Sequence, residues 1–259
     1  MKIISQIKKC IFYVPRRVQC LLVPKNPVYI FHHIPKCGGT SINAVLDKWF
    51  VTIKDYRHGL TNSYPKKVHL DSLRSCHCLC GHFELEGNYL HQRYPESLTS
   101  PRYRLFTFVR DPLQVQLSLF RYEKMNNRSK VASIEEHLLL RPNYMANRFP
   151  ATFENYKEVI DRYFFVGILE ESQTSMNILA SLMGKTVYPL PWINKSVEDP
   201  SRDNETEDIS QDLVAQFRED SALDYLIYDY CVAKFRRMLA IQGVPPDNRS
   251  ASLFERISP

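Results

Sequence analysis

A short glycine-containing loop carries the clearest chemistry in this sequence. The segment Pro35-Lys36-Cys37-Gly38-Gly39-Thr40-Ser41 joins residues typical of a strand to residues with helical periodicity. Its two glycines let the backbone turn and bring N–H groups close to a ligand, and a helix N-terminus favours an anion. Lys36 adds a positive charge, and Thr40 and Ser41 add hydroxyl donors. The pattern predicts a site for a phosphate-like group.

A second candidate anion site follows the apolar stretch Leu105–Val109. Arg110 ends that stretch, and Ser118 lies two turns into the predicted helix, for which Asp111 is the N-cap and Pro112 is in the first turn. We expect Arg110 and Ser118 at the carboxyl edge of a sheet, where open α/β folds bind ligands. A guanidinium and a hydroxyl suit a second phosphate. The alternative is a surface ion pair between Arg110 and Asp111.

Two other phosphate-binding loops fit the first segment less well. A Walker A loop places its Lys directly after the last Gly, whereas Lys36 precedes both glycines. A cysteine-based phosphatase would use Cys37 as a thiolate at the helix N-terminus, but it needs a closing Arg where this chain has Asn43. A simple Gly turn with an incidental Lys is the structural alternative.

The elements that must position these residues alternate between strand and helix. Strands are predicted at Val28–Ile34, Cys76–His82, Leu105–Val109 and Tyr163–Gly167. Apolar periodicity predicts helices after Ser41 and after Asp111, and over Glu171–Met183 and Leu213–Leu239. This order predicts an α/β chain in which helices flank a central, mainly parallel sheet. We expect an N-terminal lead-in over residues 1–27 and a single domain over residues 28–259, with a helical C-terminal part.

Length and composition limit the class of protein. The 259 residues are 44% hydrophobic and 24% charged, which is typical of a soluble globular protein, and the formal net charge is +6. That excess allows an anionic ligand without requiring nucleic acid, which we do not expect as a partner. The N-terminal apolar runs are far shorter than the roughly 20 residues of a membrane span. Seven cysteines, an odd number, fit a reducing, cytoplasmic location.

Together the two anion motifs resemble those of the sulfotransferases that use PAPS (3′-phosphoadenosine 5′-phosphosulfate). Residues 34–41 resemble their 5′-phosphosulfate loop, and Val109-Arg110-Asp111-Pro112, followed by Ser118, resembles their 3′-phosphate motif. The spacing is similar to that of the carbohydrate sulfotransferases that include heparan sulfate 2-O-sulfotransferase. Cys80-Gly81-His82-Phe83 resembles the segment with that group's catalytic base. Many relatives have Thr or Ala at the places of Cys37 and Gly38. Golgi relatives also carry a membrane anchor, and its absence here favours a soluble, bacterial-type member.

The resemblance implies a P-loop-like three-layer fold. It also implies transfer of a sulfuryl group from PAPS to an acceptor hydroxyl, with PAP as the product. It assigns the 5′-phosphosulfate to a set of loop residues: Lys36, Cys37, Gly38, Gly39, Thr40 and Ser41. It assigns the 3′-phosphate to Arg110 and Ser118, and a cofactor-covering role to Lys195 and Ser196. The acceptor would be a small molecule or a glycan, namely a carbohydrate or another alcohol, and the oligomeric state is open.

Two residues are the candidate catalytic groups. Lys36 is placed to stabilise the negative charge that grows on the leaving oxygen. His82 is the candidate general base, since histidine accepts a proton at neutral pH. Its rivals are Glu84, His32, His33 and His77.

We expect no metal site. Cys76, Cys78, Cys80 and His82 share one strand face, but neighbours on such a face are about 7 Å apart, which disfavours a tetrahedral zinc site. The alternative functions are a non-catalytic nucleotide-binding module and a P-loop nucleotide kinase.

Overall fold

The computed structural model describes residues 23–58, 63–191 and 209–242. In these residues five strands form one sheet: β1 (Val28–His32), β2 (Val51–Lys54), β3 (His77–Gly81), β4 (Tyr103–Val109) and β5 (Phe165–Ile168). Their order is β2-β3-β1-β4-β5, and every neighbouring pair is parallel. Helices flank the sheet, so the expected α/β fold with a central parallel sheet is confirmed.

Nine α-helices lie in the described part of the chain. They are α1 (Gly39–Trp49), α2 (Leu90–Arg93), α3 (Glu96–Thr99), α4 (Pro112–Met125), α5 (Ile134–Leu140), α6 (Tyr156–Asp161), α7 (Ser172–Met183), α8 (Gln211–Asp220) and α9 (Ala222–Gln242). Short 3₁₀ turns occur at Leu70–Ser72, Ala146–Arg148 and Leu169–Glu171. None of these helices is long and apolar enough to cross a bilayer.

The two strands that lead to the anion motifs lie in the middle of the sheet. All five residues of β1 are buried, and in β4 only Arg104 is exposed. Helices cover both faces of a parallel sheet, which is why such strands are continuously apolar. In register, His32 of β1 lies beside Thr107 of β4. The sheet therefore brings the residues that follow β1 and β4 to one edge.

The four predicted strands are present in the structure, but their predicted ends differ from the observed ones by up to two residues. The first strand ends at His32 rather than Ile34, and the last begins at Phe165 rather than Tyr163. Strand β2 was not predicted. The segment Leu213–Leu239 is helical, as predicted, except at Ser221, where the chain divides into α8 and α9.

The break at Ser221 has a polar cause. The Ser221 side chain and the Asp224 carboxylate are buried, and Asp224 accepts hydrogen bonds from the Met145 and Ala146 backbone at 3.1 and 2.6 Å. The start of α9 is thereby tied to the 3₁₀ turn at Ala146–Arg148.

Candidate functional site

The two anion motifs meet where the connections of the sheet diverge. The chain leaves β1 towards β2 on one side and leaves β4 towards β5 on the other. Open parallel sheets bind ligands at the carboxyl end of such a switch point. Here the Arg110 Nη1 lies 3.5 Å from the Lys36 carbonyl oxygen. The Lys36 loop and Arg110 therefore lie together at the carboxyl edge of the sheet, as predicted.

The backbone of the first loop turns sharply before α1. Lys36 and Gly38 have φ angles of 69° and 78°, both in the left-handed region, and Gly38 is the N-cap residue. No side chain caps α1, and its first turn has no acidic residue. The positive end of this helix thus has no carboxylate in its first turn to compete with a bound anion.

Both glycines are required by their surroundings. A β-carbon on Gly38 would overlap the Leu169 side chain, which comes from the turn after β5. A β-carbon on Gly39 would overlap the His33 ring at its Nε2, Cδ2 and Cε1 atoms. The loop is thus tightly surrounded by side chains, and it brings backbone N–H groups together at the start of the helix.

The Lys36 side chain reaches over to helix α4. Its Nζ lies 4.3 Å from the centroid of the Tyr122 ring, a cation–π distance. Burial, together with the positive charge of Arg110, lowers the pKa of Lys36 below its usual value. The Arg110 guanidinium, beside the Lys36 backbone, and the Lys36 ammonium together favour an anion at this loop.

Ser118 lies on the same face of α4 as Tyr122, because it precedes it by one helical turn. Ser118 is half-buried. Asp111 caps α4 as predicted, with its carboxylate accepting from the Gln114 N–H at 2.9 Å. No carboxylate in the described residues lies within ion-pair distance of Arg110, so the surface pair with Asp111 does not form.

The carboxylate of Glu170 contacts the backbone of this second motif. Its Oε1 accepts a hydrogen bond from the Asp111 backbone N–H at 2.9 Å. Burial raises the pKa of both Glu170 and Asp111. Glu170 therefore ties the turn after β5 to the end of β4, which bears Arg110.

His82 directly follows β3 at the same edge of the sheet. Its ring packs against those of His33 and Tyr56, with centroid distances of 4.3 and 4.8 Å. Its Nδ1 lies 3.9 Å from the Glu84 Oε1, and the side chain is 29% exposed. The next residue, Phe83, is fully buried with a positive φ of 49°, an uncommon conformation for a large side chain. This strained turn carries His82 at the surface of the site.

Glu84 is held by cations on both sides. Its Oε1 lies 3.2 Å from the Arg57 Nη2, and its Oε2 lies 3.9 Å from the Arg148 Nη2. Burial alone would raise the pKa of Glu84, but its interaction with the nearby His82 and the charges of Arg148 and Arg57 bring the pKa below its usual value. Glu84 is thus an ionised partner for His82 rather than an equally placed base.

The remaining rivals of His82 differ from it in position. His32 is fully buried, hydrogen-bonds the Tyr163 hydroxyl at 2.8 Å, and burial lowers its pKa to about 3. His77 begins β3 and therefore lies at the opposite, amino edge of the sheet. His33 lies within the site and contacts both His82 and the loop.

Burial governs the cysteines of the site region. Cys37 is buried in the loop, and burial raises the pKa of its thiol, the reverse of what a thiolate nucleophile requires. The Cys78 and Cys80 sulfurs lie 3.8 Å apart in the core. No three His, Cys, Asp or Glu side chains among the described residues converge as metal ligands.

The described residues do not test the cytoplasmic location, which stays a prediction.

Some site residues carried little or no signal in the sequence, and two predicted ones cannot be placed. Asn43 and Tyr56 hydrogen-bond to each other beside His33, and Arg148 reaches Glu84 from a distant 3₁₀ turn. Only the aromatic character of Tyr56 pointed to it. Lys195 and Ser196 lie outside the described residues.

Comparison with known proteins gives similarities of fold alone. No protein-family profile matches the chain, and no curated protein matches it in sequence. A crystal structure of a sulfotransferase from Alicyclobacillus acidocaldarius is similar with a TM-score of 0.45 and 16% identity, covering 80% of this chain and 97% of that one. A mouse sulfotransferase complexed with PAP is similar with a TM-score of 0.47 and 10% identity, covering 85% of this chain and 95% of that one.

Proposed function

We propose that this chain is a sulfotransferase that moves the sulfuryl group of PAPS to a hydroxyl of an acceptor, a carbohydrate or another alcohol. One observation carries the proposal. The loop with Lys36, at an uncapped helix N-terminus, meets the Arg110 side chain at the switch point of the sheet. Two adjacent cationic sites of different geometry suit a ligand with two separate anionic groups.

The residues present fit such a ligand. The first site combines the Lys36 ammonium with the Thr40 and Ser41 hydroxyls at the start of α1, a donor set for the 5′-phosphosulfate. The second combines Arg110 with Ser118, which lies one helical turn before Tyr122 on α4, as the donor set that we assign to the 3′-phosphate. Lys195 and Ser196 are assigned the covering role by sequence resemblance.

PAPS, when bound, supplies an activated sulfuryl group, and its transfer leaves negative charge on a phosphate oxygen. The Lys36 ammonium stabilises that charge, as preorganised cations do in phosphoryl transfer. Its Tyr122 contact and its lowered pKa show that this ammonium is already partly desolvated. A partly desolvated cation interacts more strongly with developing charge than one in bulk water.

His82 takes the proton of the acceptor hydroxyl. Its Nδ1 lies 3.9 Å from the Glu84 carboxylate, which favours the tautomer with the proton on Nδ1 and leaves Nε2 to take the proton of the acceptor. Glu84, fixed by Arg57 and Arg148, stabilises the imidazolium that results. His82 is the catalytic base in this scheme and Glu84 is a positioning residue.

The assay that tests the proposal is transfer of radiolabelled sulfur from PAPS to a library of sugars, glycans, alcohols and phenols. We expect label on at least one hydroxyl acceptor with the native chain. His82→Ala should abolish turnover and leave PAP affinity within a few fold, while the exposed His69, substituted in the same way, should leave both unchanged.

Two results would contradict this scheme in different ways. Near-normal turnover in His82→Ala would remove His82 as the base. PAP binding without turnover of any acceptor would instead favour a non-catalytic nucleotide-binding module.

A further inference from the structure

His33 is a second histidine of the site, and the scheme above does not use it. Only 8% of the residue is exposed, and its ring lies between the His82 ring and the start of α1. Its Nδ1 lies 3.1 Å from the Tyr56 hydroxyl oxygen. Its Nε2 edge lies against Gly39, where a β-carbon would overlap it. The Nδ1 thus faces Tyr56, and the Nε2 faces the loop before α1.

A chain of hydrogen bonds determines which nitrogen carries the proton. The Lys54 ammonium donates to the Asn43 Oδ1 at 3.0 Å, which fixes the amide so that its Nδ2 donates to the Tyr56 hydroxyl at 2.8 Å. The Tyr56 oxygen accepts from Asn43, and among the contacts of the described residues the His33 Nδ1 is the remaining acceptor for the Tyr56 proton, so we assign Tyr56 as the donor of this hydrogen bond. The Nδ1 of His33 is then the acceptor, and the neutral ring carries its proton on Nε2.

The surroundings of His33 also favour the neutral ring. Burial, with the nearby His82, His32, Lys54 and Lys36, lowers its pKa well below the usual value. A neutral ring with a fixed tautomer donates one hydrogen bond from Nε2 towards the loop.

We propose that His33 is a ligand-binding residue whose Nε2–H donates to the anionic group held at the N-terminus of α1. This inference rests on the proposed function, in which that group is the 5′-phosphosulfate. The role of Gly39 follows from it, because only a residue without a side chain leaves room for the ring at the loop.

Two substitutions of His33 separate its two nitrogens. His33→Asn keeps an amide near the Nδ1 position, where it still reaches Tyr56, and removes the donor at Nε2. His33→Gln places an amide near the Nε2 position instead. We expect Asn to raise the Kd of PAP about tenfold or more, the loss of a charge-assisted hydrogen bond, and Gln to stay within about threefold of the native chain. Equal affinity of both variants and the native chain for PAP would overturn the inference.

The tautomer of His33 can also be measured in the native chain, so this test does not depend on a variant that folds correctly. In the full chain with ¹⁵N-labelled histidine, the His33 resonances should show a protonated Nε2 and a bare Nδ1, and the Nε2 resonance should shift on addition of PAP. A protonated Nδ1 would overturn the inference. Inorganic sulfate serves as a second probe: a response to sulfate without one to PAP would support the donor role and reject the nucleotide. No response of Nε2 to either probe would reject the donor role.

Discussion

A substitution of Arg110 distinguishes the two proposed anion sites, because this residue is assigned to only one of them. Arg110→Met keeps the aliphatic stem but removes the guanidinium that lies beside the Lys36 carbonyl at the end of β4. PAP and AMP differ by the 3′-phosphate alone. If Arg110 binds that phosphate, the substitution should weaken PAP and leave AMP almost unchanged.

The magnitude follows from the surroundings of Arg110. The side chain is part-buried, and among described residues no carboxylate within ion-pair distance competes for it. A hydrogen bond to a charged group contributes about 1.5–3 kcal/mol. With about 1.4 kcal/mol for each factor of ten, the Kd of PAP should rise about 10- to 100-fold. The Kd of AMP should change by less than about threefold, since its one phosphate is assigned to the Lys36 loop.

Isothermal titration calorimetry of both nucleotides against both proteins measures these four affinities. The matched control is Arg104→Met, on the same strand at the opposite edge of the sheet, where the arginine is exposed. It should leave both affinities unchanged. An equal loss of PAP and AMP affinity in Arg110→Met would refute the separate 3′-phosphate site, as would no loss at all.

Three further outcomes concern packing around the site. Gly39→Ala should lower stability by about 1–3 kcal/mol in urea unfolding, because the new methyl group meets the His33 ring, whereas helix propensity alone favours Ala by about 1 kcal/mol. Asp55→Ala should lower the free energy of unfolding by about 3–5 kcal/mol, because it leaves the Arg93 guanidinium, bound at 2.8 and 3.0 Å, without its buried partner. Cys37 should resist iodoacetamide in the native chain and react after unfolding in urea, because it is buried and its pKa is raised.

These outcomes have their own controls and contrary results. Glu158→Ala breaks the exposed pair with Arg162, one helical turn away, and should cost less than about 1 kcal/mol. A similar cost for Asp55→Ala would show that the buried pair is not stabilising. A more stable Gly39→Ala variant would mean that the His33 ring moves aside freely. Rapid native labelling of Cys37 would restore the thiolate nucleophile and with it the phosphatase interpretation.

Local signals in the sequence were enough for the elements beside the site. The glycines before α1 and the Asp111-Pro112 pair before α4 mark helix starts through backbone geometry and capping, which act within a few residues. The apolar stretch of β4 identified a central strand. The meeting of Lys36 and Arg110 followed from the rule that parallel strands end at one edge.

Contacts between segments that are distant in the sequence could not be predicted from these local patterns. Strand β2 is short and half-buried, and it is defined by its pairing with β3 rather than by its own residues. The orientation of His33 depends on Asn43 from α1 and Tyr56 from the turn after β2. Arg148 reaches Glu84 only because the chain after α5 folds back over the sheet edge. None of these three features is marked by a pattern in the nearby sequence.

We propose that the meeting point of the two motifs binds a nucleotide with two separate phosphates. The direct test is a thermal-shift titration with PAP, compared with ATP plus Mg²⁺. Binding at about 100 times Kd stabilises the native state by about 2.7 kcal/mol, which for a chain of this size raises the Tm by about 5–10 °C. We expect that shift with PAP and none with ATP. A shift with ATP and Mg²⁺ but none with PAP would contradict it and favour a nucleotide kinase.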